Sequence, residues 1–314
     1  LYQTQRVFEA RLGVPCGVIG DQNWDVKGKW VTVATVDTLY SRLAKPECRS
    51  VLETTDVLFA DECHHVGSDS WYQVMRACPA YYRFGLSGTP LKRTDGADLR
   101  LIGVTGPVLY EVRNKMLIER GVSVQPIIYF IPIEKPKIGK GVDYREAYTR
   151  GIVENPYRNN ALAAEVAKYV DQGLSVLVLV REIKHGELLD KKLWSYPKGS
   201  FIPHQFINGK ESSEVRQKAL EEFSSGTIKA LIATSILDEG VDVPNIDVLV
   251  LAGGGKSSIR TLQRVGRGLR TGGNIDKLFV VDTADFQNHY LLKHSFQRMK
   301  DYKAEECFEI REVK

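Results

Sequence analysis

Short apolar runs alternate with amphipathic stretches along almost the whole chain. Residues 31–35, 57–60, 83–86, 127–131, 176–180, 228–233, 248–251 and 277–281 are apolar and mostly rich in β-branched side chains. Each is followed by turn or cap residues, the pattern of parallel strands covered on both faces. Helix-period stretches lie between them, at 159–172, 213–224 and 258–269. Alternating strand and helix units predict doubly wound α/β sheets with right-handed crossovers. A break is expected near Gly121, where the polar end Glu119-Arg120-Gly121 gives way to a new strand led in by Pro126. The expected division is therefore 1–122, 123–285 and a C-terminal helical tail, 286–314, where the chain turns polar and mixed in charge. No repeat at solenoid periods is visible.

Length and composition support two domains and exclude other classes. The chain has 314 residues, 43% hydrophobic and 26% charged, which excludes a disordered, fibrous or coiled-coil protein. The net charge of +4 permits an anionic partner without requiring one, because a nucleic-acid path can be a local stripe. Five cysteines with no Cys-x-x-Cys pair suggest neither a disulfide framework nor a zinc ribbon, and reduced thiols are expected. No apolar run approaches the about 20 residues that cross a bilayer, so no membrane partner is expected.

Chemistry concentrates at strand ends. Asp61-Glu62-Cys63-His64-His65 directly follows the run 57–60. Two carboxylates at the C-terminal end of a buried strand sit where open α/β sheets place ligands, and such acids can hold Mg²⁺ and orient an attacking water. Taken alone the pair also reads as a solvated acidic turn. Cys63, His64 and His65 could instead be metal ligands, but consecutive residues on a turn converge poorly on one ion. Leu86-Ser87-Gly88-Thr89-Pro90 ends another run and would let backbone approach a phosphate, although such a turn is common. Further on, Thr234, Ser235, Gly240 and Asp242 combine hydroxyls, a glycine and a carboxylate after a strand. Gln263-Arg264-Val265-Gly266-Arg267-Gly268-Leu269-Arg270 places Arg267 and Arg270 on one helical face, suited either to charge on a transferring phosphoryl group or to a phosphate backbone.

In this order the motifs resemble helicase superfamily 2, over about residues 31–282. The Asp-Glu-Cys-His form together with Gln-Arg-Val-Gly-Arg-Gly-Leu-Arg is most similar to DNA translocases of the XPB, RecG and phage UvsW kind. The resemblance implies two RecA-like parallel-sheet domains in tandem, with ATP and Mg²⁺ in the cleft and DNA as partner. In that likeness Asp61 holds Mg²⁺ through water and Glu62 is the general base. His64, Ser87 and Thr89 couple the nucleotide to the nucleic-acid path. Gly240 and Asp242 approach the nucleotide, and Thr35, Thr38, Thr234 and Ser235 contact the strand. Gln263, Arg267 and Arg270 act from the second domain, the two arginines as fingers. Asp37 stands where relatives often have Gln.

The family also needs a Gly-x-x-x-x-Gly-Lys-[Ser/Thr] phosphate cradle, and nothing before Asp61 matches it. Gly253-Gly254-Gly255-Lys256-Ser257 imitates one, but Val250 stands where its first glycine belongs. Leu1-Tyr2-Gln3-Thr4-Gln5 resembles the segment just after the family's cradle helix. The expectation is a first domain whose beginning lies upstream, and a chain that lacks activity as it stands. The expected function is an ATP-dependent DNA helicase or branch-migrating translocase acting as a monomer on single-stranded, forked or branched DNA rather than RNA. The expected location is the cytoplasm, at a nucleoid or in a phage-infected host, or the nucleus of a eukaryote. The alternatives are a catalytically silent nucleic-acid-binding module and the motor subunit of a restriction or repair complex.

Overall fold

The computed structural model describes residues 1–88, 96, 98–196, 202–234, 246–255 and 277–312, which fall into two units, Leu1–Glu111 and Val112–Lys314. The helix expected at 258–269 lies outside the described residues.

The first unit runs α1 (Tyr2–Leu12), β1 (Cys16–Gly20), β2 (Asn23–Asp25), β3 (Val31–Ala34), α2 (Val36–Ser41), α3 (Pro46–Glu53), β4 (Val57–Ala60), a 3₁₀ turn (Cys63–Gly67), α4 (Asp69–Ala77), β5 (Tyr82–Gly85) and α5 (Asp98–Thr105). One sheet has the order β2-β1-β3, with β1 and β3 parallel, and a second is the parallel pair β4-β5. Arg83 on β5 closes the C-terminus of α4. It donates to Ala80 O at 2.9 Å, to Met75 O at 3.2 Å and to Cys78 O, setting a cation on carbonyls that lack helical partners.

Burial on both faces, expected for every strand, fails in this unit. The register Val57↔Tyr82 and Phe59↔Phe84 puts those four side chains on one face. Val57, Phe59 and Tyr82 stay largely exposed, with Phe59 at 60% and stacked on Phe84 at 5.2 Å. Only the other face, through Leu58 and Ala60, packs against Val66, Met75, Leu101 and Val104. A continuous apolar run therefore reads alike whether one face or both are covered.

The second unit runs α6 (Asn114–Glu119), β6 (Gln125–Ile133), α7 (Tyr144–Tyr148), a π turn (Thr149–Val153), α8 (Pro156–Asp171), β7 (Val176–Leu179), α9 (Ile183–Trp194), β8 (His204–Ile207), α10 (Ser213–Ser224), β9 (Ala230–Ala233), β10 (Val248–Leu251), β11 (Lys277–Asp285), α11 (His289–Lys303) and β12 (Glu309–Glu312). Its seven strands form a wholly parallel sheet of order β12-β6-β11-β10-β7-β9-β8. Here both faces are covered. Val176, Val178, Ile232, Val248 and Val250 pack under Leu162, Val166 and Leu189 of α8 and α9. Leu177, Leu231, Leu249 and Val280, one residue out of step, pack on Phe223 of α10 and Tyr302 of α11. The period-2 alternation of two apolar faces explains why these strands read as unbroken hydrophobic runs.

From β7 the chain steps outward to β8 and returns through β9, whereas β10 and β11 lie on β7's other side. The β7/β10 boundary is therefore the topological switch point, at whose C-terminal end open α/β sheets bind ligands. Residues 286–314, expected as a helical tail, supply α11 and also the edge strand β12, which pairs in parallel with β6.

Candidate functional site

In the first unit, backbone pairing continues past the β4 and β5 ends and clamps two loops together. Leu86 N donates to Ala60 O at 2.8 Å and Cys63 N donates to Leu86 O at 2.9 Å. Asp61 is exposed at the strand end, and its Oδ1 accepts from Glu62 N at 3.0 Å. Glu62 occupies the left-handed region at φ 48°, ψ 43°. That conformation costs a residue with a Cβ of order 1–3 kcal/mol, and such strain persists where the surroundings enforce it. His64 Nδ1 lies between Ser87 Oγ at 3.0 Å and Glu62 Oε2 at 3.2 Å, joining the acidic turn to the β5 loop. Asp61, Glu62, His64 and Ser87 are thus brought together.

The Cys63 side chain turns away from the neighbouring His64 and His65 rings. The Cys63 thiol is buried against Gly85, where a Cβ would come within 2.8 Å of its sulfur. Burial, followed by the neighbouring Glu62 and Asp61 charges, outweighs a backbone hydrogen bond and pushes its pKa up, so it remains a neutral packing group. His65 lies between His64 at 4.2 Å and Trp71 at 5.6 Å between ring centroids, tilted against both. The divergence does not fit a shared zinc ion. An exposed carboxylate at a strand end does fit Mg²⁺, which keeps most of its waters and takes one or two carboxylates plus phosphate oxygens.

Thr35 follows β3 and caps α2 in extended conformation, and its hydroxyl donates to Thr38 Oγ1 at 2.8 Å. Thr35 N donates to Ile19 O at 2.9 Å, fixing both threonines at the C-terminal edge of the β1-β3 pair. Asp37 is exposed in the first turn of α2. In the second unit Thr234 follows β9 and is only 6% exposed, its N–H donating to Ile207 O at 3.3 Å. Thr89, Ser235, Gly240, Asp242, Gln263, Arg267 and Arg270 lie outside the described residues.

The same unit holds a polar cluster at the switch point that motif reading missed. Arg158 on α8 donates from Nε to Asp285 Oδ1 at 3.0 Å, from Nη1 to Ala252 O at 2.7 Å and from Nη2 to Thr283 Oγ1 at 2.8 Å. Arg298 on α11 grips Asp282 with two bonds of 2.9 and 3.0 Å and also donates to Gly255 O at 2.7 Å. Burial opposes the Arg298 charge, but Asp282, then Asp285 and Tyr302, together hold its pKa above the ordinary value. Tyr302 completes the set by donating to Asp282 Oδ2 at 2.9 Å. The signals that could have exposed the cluster are Asn155-Pro156-x-Arg158, a helix start carrying a cation, and the acids of Asp282-Thr283-Ala284-Asp285 at the end of an apolar run.

The glycine segment that imitates a phosphate cradle belongs to this cluster. Gly253 N donates to Leu179 O at 2.9 Å, and the carbonyls of 252, 253 and 255 face buried donors. A phosphate cradle presents N–H groups to its ligand.

Two families match the chain: one described as the helicase conserved C-terminal domain, over residues 158–272, and one as the type III restriction enzyme, res subunit, over residues 1–92. The ATP-dependent DNA helicase uvsW of Enterobacteria phage T4 is 26% identical over 274 residues, covering 80% of this chain and 53% of the phage protein. The DNA 3'-5' translocase XPB2 of Sulfurisphaera tokodaii is 24% identical over 288 residues, covering 81% of this chain and 63% of the archaeal protein. The chain thus spans between about half and two thirds of the length of these relatives. Among solved structures, S. cerevisiae Dbp5 bound to RNA and ADP BeF3 matches 99% of this chain and 74% of its own, with a TM-score of 0.62 at 17% identity. That likeness concerns the fold.

Proposed function

Because the chain belongs to helicase superfamily 2, among the XPB- and UvsW-like translocases, we propose that it is the motor of an ATP-dependent DNA helicase or branch-migrating translocase. The observation that carries this reading is the Asp61-Glu62-His64-Ser87 constellation: two carboxylates at a parallel strand end, one held in a left-handed conformation and linked through an imidazole to the next strand's loop. Glu62 would accept the proton of the attacking water, and Asp61 would hold Mg²⁺ through water. The metal, when bound, supplies charge neutralisation on the phosphate oxygens. His64 and Ser87 would carry the nucleotide state between the β4 and β5 loops. Thr35 and Thr38, at the start of α2, would contact backbone phosphates of the strand, as would Thr234 with Ser235. Gly240 and Asp242 would approach the nucleotide, and Gln263, Arg267 and Arg270 would act on it as the arginine-finger set.

The test is ATP hydrolysis by the full-length protein with single-stranded, duplex and branched DNA, compared with RNA. Hydrolysis should require Mg²⁺ and be stimulated by DNA, and Glu62→Gln should lower kcat by about 10²–10⁴-fold. A DNA-stimulated rate that survives Glu62→Gln removes Glu62 from the role of base. A wild-type protein that hydrolyses no ATP with any nucleic acid overturns the reading.

A further inference from the structure

At the C-terminal end of β10 the chain leaves the sheet through Ala252-Gly253-Gly254-Gly255 and proceeds in sequence to Gln263, Arg267 and Arg270. Three of these four carbonyls are gripped by side chains from three separate helices. Tyr148 of α7 donates to Gly253 O at 2.7 Å, Arg158 of α8 to Ala252 O at 2.7 Å and Arg298 of α11 to Gly255 O at 2.7 Å. All three donors are buried. Burial raises the Tyr148 pKa to about 12, so the phenol remains a donor across the working pH range. Gly254 and Gly255 take left-handed φ values of 58° and 92°, and a Cβ on Gly253 would approach Arg181 N to 3.1 Å. The segment's path is therefore over-determined at the sheet's switch point.

Helix packing alone would not need this arrangement. Two buried guanidinium groups carry a large desolvation cost that apolar side chains of similar volume would avoid, and buried ionic groups are best attested as devices that fix registry. Here Arg158 spends one donor on Asp285 and Arg298 two on Asp282, and each spends another on a carbonyl of the same short turn. Asp282 and Asp285 at the end of β11 balance the two charges, and the Thr283 hydroxyl donates to Asp285.

We propose that Tyr148, Arg158 and Arg298 are positioning residues for ATP hydrolysis, holding the Ala252–Gly255 carbonyls so that the chain enters the arginine-bearing segment on one fixed path. This role rests on the helicase reading above and adds to it the residues that set the fingers' starting point. The three act through the backbone of the turn, and a displacement of about 1 Å at a group acting on a transition state can cost on the order of 10²-fold in rate.

The experiment uses the full-length protein and compares wild type with Tyr148→Phe, which deletes one hydrogen bond and keeps the ring, and with Arg158→Lys, which keeps the charge. Arg158→Ala is avoided because it leaves the buried Asp285 with only the Thr283 hydroxyl and a 3.8 Å ion pair to Arg298, which could prevent folding. Tyr148→Phe should lower the DNA-stimulated kcat on the order of tenfold. KM for ATP and Kd for DNA should stay at wild-type values and Tm should fall only by the cost of one unsatisfied carbonyl, while amide hydrogen exchange accelerates at 253–255. Arg158→Lys should shift the same parameters in the same direction. An unchanged kcat in Tyr148→Phe, or a fall in kcat matched by an equal loss of DNA affinity, overturns the positioning role while leaving the helicase reading intact. A wild-type protein without DNA-stimulated hydrolysis overturns both.

Discussion

His185 on α9 is fully buried, with Nε2 at 3.0 Å from Asn159 Oδ1. Asn159 spends its amide on Val153 O, so its carbonyl oxygen is the acceptor and the histidine carries its proton on Nε2. Burial, reinforced by the Arg158 charge, lowers the His185 pKa from 6.5 to about 3. The unfolded chain therefore binds a proton at this site between pH 6.5 and about 3 while the folded protein does not. Stability is fully present above pH 6.5 and falls with decreasing pH at roughly 1.4 kcal/mol per unit. Between pH 7 and pH 5 this site should cost roughly 2 kcal/mol, read as a drop in denaturation midpoint. His185→Gln, which cannot titrate, should remove that part of the pH dependence, and an unaltered slope would contradict the assignment. Nothing in the sequence marks this histidine, because burial of a polar ring depends on packing from α8 that no local pattern encodes. The acidic turn was legible, since Asp61 and Glu62 directly follow an apolar run. The left-handed backbone of Glu62 was not, because a φ value is imposed by the Cys63–Leu86 and Leu86–Ala60 pairing from another strand.

Helix starts show how differently one rule weighs in different surroundings. Asn155 caps α8 by accepting from Tyr157 N at 3.0 Å and Arg158 N at 3.2 Å, and its amide also donates to Lys135 O and Gly151 O. It is fully buried. Ser212 caps α10 through one 3.3 Å bond from Val215 N and is exposed. Asn155→Ala removes the cap and also the amide's bonds to Lys135 O and Gly151 O, the latter keeping its bond from Gln287 Nε2, for an expected loss of about 2 kcal/mol. Ser212→Ala should cost only about 0.5–1 kcal/mol. Equal losses in urea denaturation would show that the extra Asn155 bonds contribute nothing. Helix α10 matched its expected span because its polar face and Ser-rich ends are local signals. Strands β1 and β8 were not anticipated, since Cys16-Gly17-Val18-Ile19-Gly20 and His204-Gln205-Phe206-Ile207 are diluted by glycine or polar residues. Sheet pairing, which is non-local, makes them strands.

At the scale of the molecule, the two units differ in how completely their strands are enclosed. The second unit's sheet is covered on both faces, and β7, β9 and β10 have nearly every side chain buried. In the first unit β4 and β5 pair with each other and leave Val57, Phe59 and Tyr82 on an open face. Apolar burial contributes about 25 cal/mol per Å², so strands covered on one side gain correspondingly less from folding. Local opening free energies follow such differences, and the least enclosed elements open first. The site residues divide along the same line: Asp61, Glu62, His64 and Ser87 sit at the ends of the half-covered pair, whereas Tyr148, Arg158 and Arg298 sit on helices of the unit with the enclosed sheet. Amide hydrogen exchange of the 314-residue chain should therefore show β4 and β5 losing protection well before β7, β9 and β10. Under denaturant the first unit should melt at a lower midpoint than the second. Coincident loss of protection in both sets of strands would mean that the open face of β4-β5 carries no stability deficit. If the expected order holds, a ligand that covers or braces the β4-β5 ends should raise the first transition and leave the second in place, by the mass action of binding to the folded state alone. Adding Mg²⁺ and nucleotide during the same exchange measurement therefore reads out, unit by unit, where the nucleotide is held.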